Sequence, residues 1–296
     1  MVKTEYITPR KCVVFLSDFG LSDGAVSAMH AVADDVNESL RIEDLTHDIP
    51  QFNIWEASYR LIQALTYWKQ GTCFVCVVDP GVGSDRKSVV ALTESGHYII
   101  TPDNGTLTHV VQSIGIKEVR EISEATNRLK NSQQSYTFHG RDVYAYTAAR
   151  LASGTISFEQ VGPELDKRDV VCLSVQPAQK KDESIIGNID ILDTRYGSLW
   201  TNIPKSLLDE EGICYGDSLL VSIANADCIV FQTTLRLCKN FTEAALGKPL
   251  LYINSLLNLA VALNQGSFSS HYHIGTGEGW HITVIKSRGE KNAEDI

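Results

Sequence analysis

Four short polar strings interrupt otherwise apolar stretches in the first half of the chain: Ser17-Asp-Phe-Gly-Leu-Ser-Asp23, Asp79-Pro-Gly-Val-Gly-Ser-Asp-Arg86, Pro102-Asp-Asn-Gly105 and Phe138-His-Gly-Arg-Asp142. A carboxylate, a guanidinium and an imidazole brought together can hold a water molecule and activate it. Asp79, Arg86 and His139 are therefore the candidate set for hydrolytic chemistry. Each also has a plainer reading. An Asp after a strand caps a helix or folds an Asx-turn, a single Arg forms a surface ion pair, and a single His is hydrogen-bonded as part of the structure. Several such residues recurring at strand ends favour chemistry.

Other patterns carry less. Cys73-Phe-Val-Cys76 has redox or metal spacing, but in a strand the two side chains face opposite ways, and no second Cys pair completes a zinc site. Both thiols are expected to pack in the core. Asp79-Pro-Gly-Val-Gly lacks the Gly-Lys-Ser/Thr ending of a phosphate loop and reads as a tight turn. His271-Tyr-His273 lies in a Ser-rich stretch expected to be solvated, and no Gly-x-Ser-x-Gly nucleophile elbow occurs.

Positioning these strings requires strands that end where they begin. Residues 12–18 and 72–78 are apolar runs of strand length, each ending at an Asp, with a further strand at 40–46. Helical patterns follow Asp23 and span 53–68. A strand at 97–101 and a helix over 141–152 complete an α/β unit closing near residue 165. Strand and helix alternation implies crossovers and a largely parallel sheet, whose strand ends are the usual ligand site. Residues 177–183 lose apolar periodicity and read as a linker. Beyond them, short strands at 184–189, 198–203, 218–223, 228–231, 250–253 and 281–285 predict a smaller β-barrel or sandwich. The expected division is an N-terminal α/β domain over residues 1–176 and a C-terminal β-barrel domain over 184–286, with a charged end after 286 that frays.

Composition agrees with two globular domains: 296 residues, 43% hydrophobic and 21% charged, with only 8 Pro, exclude a disordered chain. A net charge of -10 argues against the basic face that nucleic-acid binding uses. Seven cysteines, odd in number and scattered, suit reduced thiols in the cytoplasm. The start lacks a signal-peptide core, and no run approaches the roughly 18 apolar residues of a membrane span. A soluble, cytoplasmic protein without membrane or nucleic-acid partners is expected.

Taken in order, the strings at 16–23, 77–83, 101–105 and 138–142, with Leu45-Thr-His-Asp-Ile-Pro50 and Asn254-Ser255, closely resemble the S-adenosyl-L-methionine (SAM) hydroxide adenosyltransferases, relatives of the SAM-dependent fluorinases and chlorinases. The resemblance spans residues 12–285. It implies an α/β domain, a β-barrel domain and a homotrimer whose active sites lie between the N-terminal domain of one subunit and the C-terminal domain of the next. The implied reaction is attack of water or hydroxide on the ribose 5′-carbon of SAM, giving adenosine and L-methionine with no metal or redox cofactor. Carried over residue by residue, Asp79 orients or deprotonates the water, Arg86 holds a hydroxide-like nucleophile, and His139 completes the hydrogen-bond network. Asp18 faces the ribose hydroxyls, with Phe52 beside the sugar. Asp23, Asp193 and Ser255 match positions at the methionine end, Tyr196 matches an aromatic that stacks on adenine, and Ser198 stands where Asn is usual. The shorter Ser cannot offer the paired donor and acceptor of an amide.

Three other readings stay open at this point. The first is halide transfer to the same carbon, although halogenases carry Tyr at the position of Asp79 and fluorinases carry Ser at that of Gly140. The second is an adenosine- or SAM-binding protein without turnover, and the third is metal-dependent hydrolysis by Asp18, Asp79, His139 and Asp142.

Overall fold

Near-continuous apolar runs bounded by Gly- and Asp-rich turns suit strands covered on both faces. In the computed structural model, which describes residues 7–277 and 279–287, they form the sheet of the first unit. Its elements are β1 (Cys12–Ser17), α1 (Ala25–Val36), β2 (Arg41–Thr46), α2 (Ile54–Leu65), β3 (Cys73–Val77), β4 (Ser88–Thr93), β5 (Tyr98–Pro102), α3 (Thr108–Ser113), β6 (Ile116–Glu121), α4 (Glu124–Asn127), α5 (Tyr146–Ala152) and β7 (Glu164–Leu165). The strand order is β2-β1-β3-β5-β4-β6-β7. The pairs along β2-β1-β3-β5 are parallel, and β4, β6 and β7 join antiparallel. The parallel part is the part that carries β1 and β3. Strands β4 and β6 add an antiparallel edge that the sequence reading did not place. The connection between β4 and β5 is too short for a crossover and closes a hairpin.

Period-two alternation divides the core. Val13, Phe15, Cys73 and Val75 face α1 and α5, whereas Val14, Leu16, Phe74 and Cys76 face α2 and α3. Cys73 and Cys76 thus lie on opposite faces, and burial pushes both thiols well above their ordinary range. They are packing residues.

The first unit runs past residue 165. The Val171 N–H donates to Asp103 Oδ1 at 2.9 Å and the Leu173 N–H to Thr108 Oγ1 at 2.9 Å, so the compact units divide between Leu173 and Ser174.

The second unit holds β8 (Gln179–Lys181), β9 (Ser184–Leu192), β10 (Leu199–Pro204), β11 (Ser218–Asn225), β12 (Cys228–Arg236), β13 (Pro249–Ile253), β14 (Asn258–Leu263) and β15 (Trp280–Lys286). Its antiparallel order is β12-β11-β15-β9-β10-β14-β13, with β8 beside β9. A bridge between Leu237 and Leu251 ties the two ends of the sheet, making a nearly closed barrel around Ile189, Leu199, Val221, Val261 and Ile282. The expected linker is corrected here, because residues 179–181 form a strand on β9. All three side chains are exposed and polar, so no apolar face announced it. Of the end expected to fray, residues 288–296 lie outside the described residues, as do residues 1–6. Among the described residues, no helix is long and apolar enough to cross a membrane.

Candidate active site

Strands β1 and β3 are parallel neighbours with Ser17 opposite Val77, so Asp18 and Asp79 leave the sheet at the same edge. This is where an open α/β sheet forms a ligand crevice. A pocket of about 320 Å³ opens there, lined by Asp18, Asp23, Phe52, Asp79, His139 and Gly140 among others.

Asp79 and Arg86 pair with each other. Arg86 Nε donates to Asp79 Oδ1 at 2.6 Å, and Arg86 Nη2 donates to Asp79 Oδ2. The pair is sheltered, with side-chain exposures of 12% for Arg86 and 5% for Asp79. The turn between them makes this possible: the Ser84 N–H donates to the Gly81 carbonyl at 3.0 Å. Gly83 has φ +80°, and a Cβ there would fall 2.9 Å from the Tyr136 carbonyl oxygen. Arg86 Nη1 also donates to the Lys87 carbonyl at 3.1 Å and to Ser88 Oγ at 3.3 Å. Ser88 Oγ in turn hydrogen-bonds with the Tyr144 hydroxyl at 3.0 Å. The guanidinium is thus anchored on several sides, and each Asp79 oxygen keeps a lone pair for a water.

His139 behaves differently. It is 5% exposed, and neither ring nitrogen has a hydrogen-bond partner. Burial pushes its pKa below the ordinary imidazole value, with smaller opposing contributions from nearby charges, Glu124 raising it and Arg128 lowering it. A neutral imidazole facing the pocket has one acceptor nitrogen and one N–H donor. Of the three candidate residues, His139 is the one whose side-chain polar atoms have no hydrogen-bond partner in the protein. The chain enters a π-helical turn, Gly140–Ala145, directly after it, a rare feature often found at functional sites. A Cβ on Gly140 would lie 3.1 Å from Phe19 Cε2 and 3.2 Å from Met29 Sδ. Even a small side chain there presses on the pocket wall.

Asp18 Oδ2 accepts the Phe52 N–H at 2.9 Å. Phe52 has φ 65°, in the left-handed region, and the residue is 66% exposed. Asp23 Oδ1 accepts the N–H of Ala25, the first residue of α1, at 2.9 Å.

One polar string does not reach this pocket, and another, residues 138–142, lines it with Phe138, His139 and Gly140 but not with Asp142. In the turn after β5, Asn104 Nδ2 donates to the Val78 carbonyl at 2.9 Å and Asp103 accepts from Val171, which makes that string structural. Asp142 is fully buried and accepts from Arg141 Nε at 2.7 Å. Among the described residues, Asp18, Asp79, His139 and Asp142 do not bring their ligand atoms within 4.8 Å of one another.

The other candidates lie on the second unit. Asp193, Tyr196, Ser198 and Ser255 line a pocket of about 830 Å³ together with Trp200 and Tyr252. A tight turn joins β9 to β10: the Asp193 N–H donates to the Ser198 carbonyl at 2.8 Å, and the Gly197 N–H donates to the Asp193 carbonyl at 2.7 Å. The turn leaves Tyr196 72% exposed at its tip and Ser198 3% exposed at its base. Trp200 Nε1 donates to the Tyr252 hydroxyl at 2.9 Å. Burial pushes the Tyr252 hydroxyl up, against opposing hydrogen bonds with Ser198 and Trp200. A phenol therefore stands beside Ser198.

Asn254 lines the same pocket and was assigned no role from sequence. It is 5% exposed. Its Oδ1 accepts the Leu256 and Asn258 N–H groups at 2.9 and 3.0 Å, and its buried Nδ2 has no partner. The Asn254-Ser255 string was the signal.

A mixed α/β unit with acidic residues and a buried histidine at its strand ends, followed by a nearly closed antiparallel unit with an aromatic pocket, defines a two-part small-molecule enzyme architecture. The chain belongs to the SAM hydroxide adenosyltransferase family, whose N-terminal domain model matches residues 13–162 and whose C-terminal domain model matches residues 187–281. It is 33% identical to the (R)-S-adenosyl-L-methionine hydrolase of Methanocaldococcus jannaschii over 235 residues, 78% of this chain and 80% of that protein. It is 26% identical to the fluorinase of Actinopolyspora mzabensis over 302 residues, 94% of this chain and 98% of that one. Its fold is similar to the crystal structure of an uncharacterized conserved protein from Thermotoga maritima, with TM-score 0.84 and 32% identity over 93% of this chain and 100% of that one.

Proposed function

We propose that this protein hydrolyses S-adenosyl-L-methionine to adenosine and L-methionine. The observation that carries the reading is a buried imidazole with unbonded nitrogens lining the same pocket as a carboxylate held by Arg86. Asp79 accepts a hydrogen bond from the attacking water and orients it, with its own charge balanced by Arg86. As the water oxygen bonds to the ribose 5′-carbon, the carbon–sulfur bond breaks and its electron pair goes to sulfur. The sulfonium leaves as the neutral thioether of methionine. The proton lost by the water passes to the acceptor nitrogen of His139 and then to solvent. Because the leaving group is already activated, alignment and shelter from bulk water do most of the work. No step requires a metal or redox cofactor.

Asp18 accepts from the ribose diol beside Phe52. Asp23, Asp193 and Ser255 hold the methionine end, where a carboxylate pairs with the ammonium. Tyr196 stacks on adenine, and Ser198 with Tyr252 contacts the base edge. The active species is a homotrimer in the cytoplasm, with each unit contributing its own residues to substrate binding.

The test is chromatography of the products after incubation with SAM in chelator. Adenosine and methionine in equal amounts are expected, with oxygen from labelled water in the 5′-hydroxyl. A dominant 5′-halo-nucleoside in chloride or fluoride would replace this reading with halide transfer, and binding without consumption would replace it with a sensor. Light scattering should give three times the mass of the chain.

A further inference from the structure

We propose that His30, Asp44 and His47 form a binding site for a divalent transition metal ion of the zinc or cobalt type, apart from the reaction pocket and independent of the activity proposed above. His30 lies on α1, Asp44 on β2, and His47 just after β2. Both imidazoles present Nε2 to the same carboxylate oxygen: His30 Nε2 is 2.8 Å and His47 Nε2 2.9 Å from Asp44 Oδ1. The three donor atoms all lie within 4.8 Å of one another, the only such group among the described residues. Ligand atoms on a tetrahedral zinc ion at ordinary bond lengths stand roughly 3.3 Å apart. Widening the two Nε2–Oδ1 contacts by about half an ångström brings both to that spacing. Two imidazoles and one carboxylate are a donor set suited to zinc, cobalt, nickel or iron, with room for water as a further ligand.

The surroundings resemble a built site in two respects. His47 has a side-chain exposure of 1%, and its Nδ1 hydrogen-bonds with Ser17 Oγ at 2.7 Å. Ser17 is itself fully buried and accepts the Phe19 N–H at 3.2 Å. Such a contact on the far nitrogen fixes the ring so that the near nitrogen points at the metal. His30 and Asp44, by contrast, have side-chain exposures of 32% and 38%, which gives an ion its route in. Asp44 forms ion pairs with these two imidazoles only, among the described residues, so no lysine or arginine occupies the place of a cation. The ion would brace the end of β1, because the Gly20 N–H also donates to the His47 carbonyl at 2.8 Å.

The experiment uses the full chain stripped with chelator and dialysed, then titrated with zinc(II) by calorimetry and with cobalt(II) by visible absorption. One ion per chain is expected, with the intense d–d bands of low-coordinate cobalt and a rise in Tm. His30→Gln and Asp44→Asn, both at partly exposed positions, should abolish saturable uptake while keeping the circular dichroism of the wild type. Ser17→Ala should weaken binding about tenfold or more. Absence of saturable uptake by the wild type, or uptake unchanged in His30→Gln and Asp44→Asn, overturns the site and leaves a hydrogen-bonded histidine–aspartate cluster. Loss of SAM turnover bears on the proposed activity alone, and ion uptake bears on this site alone.

Discussion

The two pockets differ in size, in charge and in the side chains that line them. In the first unit, the ends of parallel strands hold an ion pair with 12% and 5% exposure beside a 5% exposed imidazole in about 320 Å³. In the second unit, a space of about 830 Å³ is walled by Tyr196, Trp200 and Tyr252, with its acidic residue on a hairpin turn. The small pocket places charge where it is sheltered and strong. The large one offers aromatic area and a few hydrogen bonds, which suits holding a planar base. Substitutions in the first should therefore damage turnover, and those in the second should damage affinity.

The largest expected effect is from His139→Ala. If this imidazole takes the proton, kcat falls by about 10²–10⁴-fold with KM little changed, as steady-state kinetics on the folded variant will show. Turnover within twofold of wild type would break the assignment. Next, Asp79→Ala should remove turnover and also destabilise the fold by about 3 kcal/mol, because it leaves the sheltered Arg86 guanidinium without its carboxylate. Urea denaturation measures this second effect.

The pH profile separates the two pockets more finely. Burial lowers the His139 pKa, so its neutral form persists to lower pH than an ordinary imidazole, whose pKa is about 6.5. The acid limb of kcat/KM should accordingly lie below that value, and it should vanish in His139→Gln. An acid limb above it would contradict a buried neutral base. The smallest effect belongs to the second pocket. Tyr196→Ala should raise KM about 3- to 10-fold through lost stacking while leaving kcat intact. A large fall in kcat would erase the division drawn here.

Much of this arrangement was legible in the sequence because it rests on local pattern. The runs ending at Asp18 and Asp79 have the length and turn chemistry of buried strands, and they emerge as neighbours in register. Most of the barrel strands likewise follow from their spacing, although no strand was expected where β14 runs. Strands β4 and β6 escaped notice because an antiparallel hairpin inserted into an α/β order breaks the alternation on which the reading relied. β8 escaped because three exposed polar residues carry no period at all. At the site, residue types identified Asp79, Arg86 and His139, but no spacing rule states that the first two bind each other and leave the third unbonded. That depends on how the turn around Gly83 folds. The Tyr252 hydroxyl beside Ser198 and the buried amide of Asn254 come from strands and turns distant in sequence, so only the folded barrel reveals them.

Phe52 carries a backbone conformation that costs a residue with a Cβ on the order of 1 kcal/mol, and its amide is fastened to Asp18, a carboxylate that lines the pocket. Asp18 therefore works as a clasp. In the reading proposed above, a diol that draws this carboxylate toward itself competes with its hydrogen bond from the Phe52 amide, so the arrival of a nucleoside and the loosening of Phe52 are a single event. Hydrogen exchange at the Phe52 amide should quicken when adenosine binds, and in Asp18→Ala it should be fast from the outset.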